Sequence, residues 1–175
     1  ITTLEEARVR AAGEVILITA HGLDPLIRAK LETIASQVVD MTCTIVKNVH
    51  RAALELQAED RRMILIGTPR DHPEIQGIVG VLGGWGNVSL VENMKDFHVL
   101  LHCFNREDPI GIVAQTTFNE KEVERIVGRI KENFPQARYL SFPSLVNPDY
   151  PTAICDDISL KQAELRELAP KCDRV

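Results

Sequence analysis

The chain is short of cysteine, of long apolar runs and of positive charge, and each shortage removes a class of function. Its four cysteines, Cys43, Cys103, Cys155 and Cys172, are too few for a disulfide scaffold. They are also too scattered for a zinc ribbon, which needs close cysteine pairs. Reduced thiols or long-range metal ligands remain. No apolar run approaches the roughly 20 residues that cross a bilayer, and the first residues lack the charged, apolar and small-residue parts of a signal peptide. A cytoplasmic protein with no membrane partner is expected. With 20 Lys and Arg against 25 Asp and Glu the net charge is -5, so broad nucleic-acid binding, which draws on clustered cations, is not expected. Any anionic ligand must be held locally. No internal repeat or low-complexity segment is present.

What is present suits a folded domain: 45% hydrophobic and 26% charged residues are ordinary for a globular protein. The 175 residues suffice for one core or for parts of two domains. The chain opens on Ile1 and stops at Val175 as a fresh apolar segment begins, so a piece of a longer protein is expected.

Short continuous apolar runs alternate with helical periodicity. VILITA (Val15 to Ala20) reads as a strand, and Ile27, Leu31 and Ile34 then mark a helix begun by Asp24 and Pro25. VVDMTC follows as a strand, with a helix on Ile45, Val46, Val49, Ala53 and Leu56. RMILIG (Arg62 to Gly67) repeats the scheme, with TPRDHPE where a helix starts. VSLVE (Val88 to Glu92) and IGIVAQT (Ile110 to Thr116) are two more strands. Asn119 with Glu122 forms a capping-box pattern ahead of Val123, Ile126, Val127 and Ile130, and Phe134-Pro135 ends that helix. Asp156 and Asp157 begin a last helix, with Ile158, Leu165 and Leu168 as its buried side. GIVGVLGGWGN (Gly77 to Asn87) fails the dinucleotide glycine pattern and reads as a turn-rich connection. Strands that alternate with helices and lack period-2 patterning predict an α/β fold with parallel sheets flanked by helices. Ligands then sit outside the carboxyl ends of the strands.

Four strands deliver His21, Cys43, His72 with Glu74, and Thr116 with Thr117 to that edge. Singly each has an ordinary alternative: a buried inert thiol for Cys43, loop or cap histidines, a first-turn Glu74 and a Thr pair before a cap. Cys43 also falls where a helix begins, which favours a thiolate, and helix N-termini suit a phosphate that His21 and His72 help neutralise. His98 and His102 lie four apart in FHVLLHCF, with no third ligand nearby. They read as a partly exposed helix face beside a buried Cys103. Cys172 reads as incidental.

The motifs AHG (Ala20 to Gly22), D-x-TC…VH (Asp40 to His50), ILIGTPRDHPEIQG (Ile64 to Gly77), QTTFNEKEVERIV (Gln115 to Val127) and AICDDISLKQAEL (Ala153 to Leu165) occur in an order that resembles a known family. That family is 4-hydroxy-3-methylbut-2-enyl diphosphate reductase, the iron–sulfur enzyme that ends the methylerythritol phosphate route to isoprenoids. The resemblance implies a pseudo-threefold arrangement of α/β lobes, with residues 1–43 the second half of a first lobe, 44–152 a central lobe and 153–175 the start of a third.

It also implies roles. Cys43 and Cys155 match the second and third cysteine ligands of a [4Fe-4S] cluster, His21 and His72 the histidines on the substrate diphosphate, Glu74 the proton-passing glutamate and Thr116 a substrate-positioning threonine. Loss of an allylic hydroxyl needs two electrons, a Lewis-acidic iron and a nearby proton donor, and three thiolates leave one iron open. Ferredoxin or flavodoxin is the implied electron donor, and the plastid stroma the implied compartment in a plastid-bearing organism. The first cluster cysteine is expected before Ile1, and a serine and asparagine motif after Val175. Thr44 stands where the family has proline, QTTFN where it has leucine and serine after QTT, and CDDISLKQ matches its segment loosely. Isolated, the chain is expected to be inactive and to hold no intact cluster. An alternative of a different class is a non-catalytic α/β module that binds a phosphorylated ligand without a cluster.

Overall fold

The computed structural model describes residues 11–143, 151–152, 154–168 and 170. Cys172 lies outside the described residues. Strand β1 (Val15–Ile18) pairs in parallel with β2 (Gln37–Asp40), and helix α1 (Pro25–Ile34) crosses between them. A second parallel sheet has the order β4-β3-β5-β6, from β3 (Arg62–Ile66), β4 (Val88–Val91), β5 (Ile110–Ala114) and β6 (Arg138–Tyr139). Helices α2 (Thr44–Ala58), α3 (Pro73–Val81), α4 (Met94–Leu100) and α5 (Glu120–Asn133) connect these strands, and α6 (Asp156–Leu168) follows. Two short strands, β7 (Phe142–Pro143) and β8 (Pro151–Thr152), pair antiparallel.

The absence of alternation in RMILI and IGIVA has a direct cause: the strand residues divide between two apolar layers. Met63, Leu65 and Val113 pack with Val49, Ala53 and Leu56 of α2 and Ile75 and Ile78 of α3. Ile64, Ile66, Ile112 and Ala114 face the other way, onto Phe97 of α4 and Val123, Ile126 and Ile130 of α5. Both faces are covered, as parallel sheets require. Ile64→Ala, at a fully buried position between β3 and α5, is expected to lower unfolding free energy by about 2–5 kcal/mol in chemical denaturation. The β1-β2 pair carries a smaller cluster around Leu31, with Ile16, Ile27, Ile34 and Val38.

The caps follow the sequence signals closely. Asp24 accepts from the Leu26 N–H at 2.7 Å, with Pro25 in the first turn. Asn119 accepts from the Glu122 N–H at 3.2 Å. The expected reciprocal bond of a capping box is replaced there by a Glu122–Arg125 ion pair at 2.8 Å.

Several expectations are corrected. The glycine-rich stretch is helical over its first part, because α3 continues to Val81 and only Trp85–Asn87 forms a separate 3-10 turn. Within the helix Gly77 and Gly80 allow close packing, whereas Gly83 and Gly84 supply positive φ in the turn after it. VVDMTC is strand only to Asp40, and Met41 to Cys43 form the turn into α2. Cys103 is exposed, and His102 lies past the end of α4, so that pair of histidines does not share one helix face. On α6, Ile158 packs on the sheet cluster, but Leu165 and Leu168 are 57% and 53% exposed. No described element lies over that part of the helix. Among the described residues, no helix is long and apolar enough to cross a membrane.

Candidate active site

Four of the six parallel strands lead directly into the candidate segments, each of which begins where a strand stops. His21 follows β1, Cys43 follows β2, His72 and Glu74 follow β3, and Thr116 follows β5. Cys155 joins them through the backbone, its N–H donating to the Thr116 carbonyl at 2.8 Å. The Cys43 N–H donates to the carbonyl of Ala20 at 3.0 Å, which seats that cysteine beside the His21 turn.

His72 is the N-cap of α3, and its Nδ1 accepts from the Glu74 N–H at 3.2 Å. That bond fixes the neutral tautomer, because an accepting Nδ1 leaves the proton on Nε2. A donor therefore remains on Nε2 beside a helix start, whose dipole favours an anion. The His21 and His72 rings meet edge to face with centroids 5.1 Å apart. Burial, and then the neighbouring His21, lower the His72 pKa from its ordinary value. An anion placed against both rings would oppose that shift by favouring their protonated forms.

Glu74 is fully buried in the first turn of α3. Its Oε1 accepts from the Thr116 N–H at 2.7 Å and its Oε2 from the Thr116 hydroxyl at 3.1 Å. Desolvation raises its pKa above the ordinary glutamate value, against the opposing pull of the Thr116 bonds and His21. A buried carboxyl whose pKa is raised by desolvation, with both oxygens held by Thr116, is a candidate for acid–base work. Exposure falls from His21 at the rim, through half-buried His72, to buried Glu74 and Thr116.

Residues outside the six hold this arrangement. Gln115 is buried; its Oε1 accepts from the Thr68 N–H at 2.9 Å and its Nε2 donates to the Thr117 hydroxyl at 3.0 Å. It thereby ties the β3 exit to the β5 exit. Asp40 accepts from the Thr42 N–H at 2.9 Å and pairs with Arg28 and Lys47 at 2.9 and 3.3 Å. Hydrogen bonding from Thr42, then Lys47, holds the Asp40 carboxyl far below the usual carboxylate range. This bracing sets the turn that carries Cys43. The sequence signal for both was available: each is a polar residue that directly ends an apolar strand.

Cys43 and Cys155 are half-buried free thiols. Among the described residues no group of three His, Cys, Asp or Glu side chains is placed to hold a metal ion. Among the described residues, the thiols at this edge, Cys43 and Cys155, are thus an incomplete set for an iron–sulfur cluster. A cavity of about 470 Å³ at the opposite edge of the sheet, lined by Arg62, Trp85 and Phe104 among others, includes none of the six residues.

The fold and this edge define an α/β protein whose paired histidines and buried acid lie where the strands end, the position at which such sheets bind ligands. A sequence profile described as LytB protein matches residues 1–175, and the chain belongs to that family. It is 33% identical over 162 residues to the 4-hydroxy-3-methylbut-2-enyl diphosphate reductase of Aquifex aeolicus, covering 92% of this chain and 50% of that one. It is 35% identical over 174 residues to the reductase of the same name in Brucella abortus, covering 99% and 46%. A solved structure of (E)-4-hydroxy-3-methyl-but-2-enyl diphosphate reductase superposes with a TM-score of 0.70 at 31% identity, covering 93% of this chain and 53% of that one. The corresponding reductase of Plasmodium falciparum gives 0.75 at 25% identity, covering 99% and 49%. The chain therefore spans about half the length of the relatives it matches.

Proposed function

We propose that the protein containing this chain reductively dehydroxylates 4-hydroxy-3-methylbut-2-enyl diphosphate to isopentenyl and dimethylallyl diphosphate. The observation that carries this reading is the buried Glu74 carboxyl held by Thr116, in the first turn of the helix capped by His72, whose ring meets that of His21. Such an arrangement suits a substrate with an anionic end and a reacting carbon a short distance inside.

In the reaction, two electrons and two protons replace the allylic hydroxyl, which leaves as water. His21 and His72 hold the diphosphate at the start of α3 and neutralise part of its charge. Burial raises the Glu74 pKa and so favours the protonated acid, which delivers its proton to the allyl group. Thr116 donates to Glu74 through both its backbone and its hydroxyl, which fixes the acid and presents the hydroxyl at the substrate. Cys43 and Cys155 would be two of the ligands of a [4Fe-4S] cluster, which would supply the two electrons drawn from ferredoxin or flavodoxin. The division into residues 1–43, 44–152 and 153–175 accords with this, since Cys43 and Cys155 fall at its boundaries. The protein acts in the cytoplasm, or in the plastid stroma of a plastid-bearing organism.

The incomplete thiol set favours a second reading for the chain on its own: a module that binds a phosphorylated ligand at the two histidines and holds no cluster. Iron and acid-labile sulfide measured on the anaerobically prepared full-length protein separate the two. About four of each per chain is expected, falling to less than half in Cys43→Ser. Absence of iron in the parent, or no change in the variant, overturns the enzyme reading.

A further inference from the structure

His50 belongs to one of the motifs of the sequence, yet none of the roles above uses it. It lies in the second turn of α2, and the Cε1–Nε2 edge of its ring is wedged between two glycines. A Cβ at Gly22 would lie 3.4 Å from Cε1, and a Cβ at Gly77 would lie 3.2 Å from Nε2 and 3.4 Å from Cε1. Gly22 follows His21 with φ of +78°, and Gly77 sits one turn beyond Glu74 in α3. Gly22 also faces Thr42, next to Cys43, where a Cβ would meet Cγ2 at 3.3 Å. One ring therefore occupies the junction of the three segments that carry His21, Cys43, and His72 with Glu74.

The ring is not apolar filler. Its Nε2 is buried and has no hydrogen-bond partner among the described residues. Burial lowers the pKa of His50, with Asp40 opposing, so the ring is neutral at pH 7. An unpaired buried nitrogen destabilises a fold, and leucine would fill much of the same space without that cost.

We infer that His50 is a positioning residue of the anion site: its ring sets the spacing between the His21 turn and α3, and its Nε2 gains a hydrogen-bond partner when an anion occupies His21 and His72. The inference rests on the diphosphate reading of those two histidines. Gly77 is then required because a methyl group there would press on the ring at 3.2 Å, and Gly22 because its φ of +78° disfavours a side chain.

The test is calorimetric titration of the full-length protein with inorganic pyrophosphate, for the parent, His72→Ala, His50→Leu and His50→Gln, each with a thermal melt. Glutamine can place an amide near the position of Nε2, and leucine cannot. The expected result is that His50→Leu melts at or above the parental temperature while its affinity for pyrophosphate falls about tenfold, and that His50→Gln recovers most of the loss. An equal loss in both His50 variants, or an affinity within twofold of the parent in His50→Leu, overturns the inference. In the latter case a loss in His72→Ala shows that the diphosphate reading survives without it. No binding by the parent overturns both.

Discussion

Glu74→Gln in the full-length protein is expected to lower turnover of 4-hydroxy-3-methylbut-2-enyl diphosphate by roughly 10²–10⁴-fold, the usual contribution of a positioned general acid, without loss of the fold. Glutamine can still accept from the Thr116 N–H that now lies 2.7 Å from the carboxylate, so the exit of β5 stays in place. What is lost is the transferable proton.

The same variant carries a pH signature. Because burial raises the Glu74 pKa, the native state binds that proton more tightly than the unfolded chain does. Stability from this group is therefore greatest in acid and declines as pH rises from about the ordinary glutamate value of 4.5 through the raised one. Glutamine does not titrate. The melting temperature of Glu74→Gln should accordingly gain on the parent across that interval and keep a constant lead above it. Retention of a third or more of parental turnover would remove Glu74 from the mechanism, and a lead independent of pH would show that its carboxyl is not held protonated by burial.

The second large effect is expected at His72. Replacing it by alanine removes the Nε2–H donor facing the anion site and the cap on the Glu74 N–H. A hydrogen bond to a charged group contributes about 1.5–3 kcal/mol, so KM should rise about ten- to hundredfold. Loss of binding that is equal in ground and transition states leaves kcat unchanged. Steady-state kinetics against substrate concentration distinguish this from the Glu74 phenotype, which falls on kcat. A His72→Ala enzyme with parental KM would detach the diphosphate from this histidine pair. His72→Asn is the useful companion, since asparagine caps helices well and isolates the lost donor from any lost cap.

Much of this fold was legible because the sheet is buried on both sides. Continuous apolar runs such as RMILI and IGIVA can only be covered strands, and Asp24-Pro25 and Asn119 mark the helix starts at which they are found. The first part of Gly77–Asn87 was misread because glycine carries no periodic signal of its own. There it makes room for His50 across the α2–α3 contact, which is a property of two helices together. Leu165 and Leu168 have helical spacing, but spacing alone does not supply a neighbour to cover them. Cys103 has the composition of a core residue and the position of a surface turn.

The candidate site divides in the same way. By itself the sequence determined which residue types end each strand: His21, Cys43, His72, Glu74 and Thr116 all follow apolar runs, and parallel strands within each of the two sheets place their carboxyl ends together. Only the tertiary structure decided which of these touch. That Thr116 grips both oxygens of the Glu74 carboxyl, that Cys155 bonds to the Thr116 carbonyl and that His50 is wedged against Gly22 and Gly77 all join residues from separate βα units. Local propensity acts over a few residues along the chain, whereas these contacts are set by the register of β3 against β5 and by the packing of α2 on α3, which no local pattern encodes.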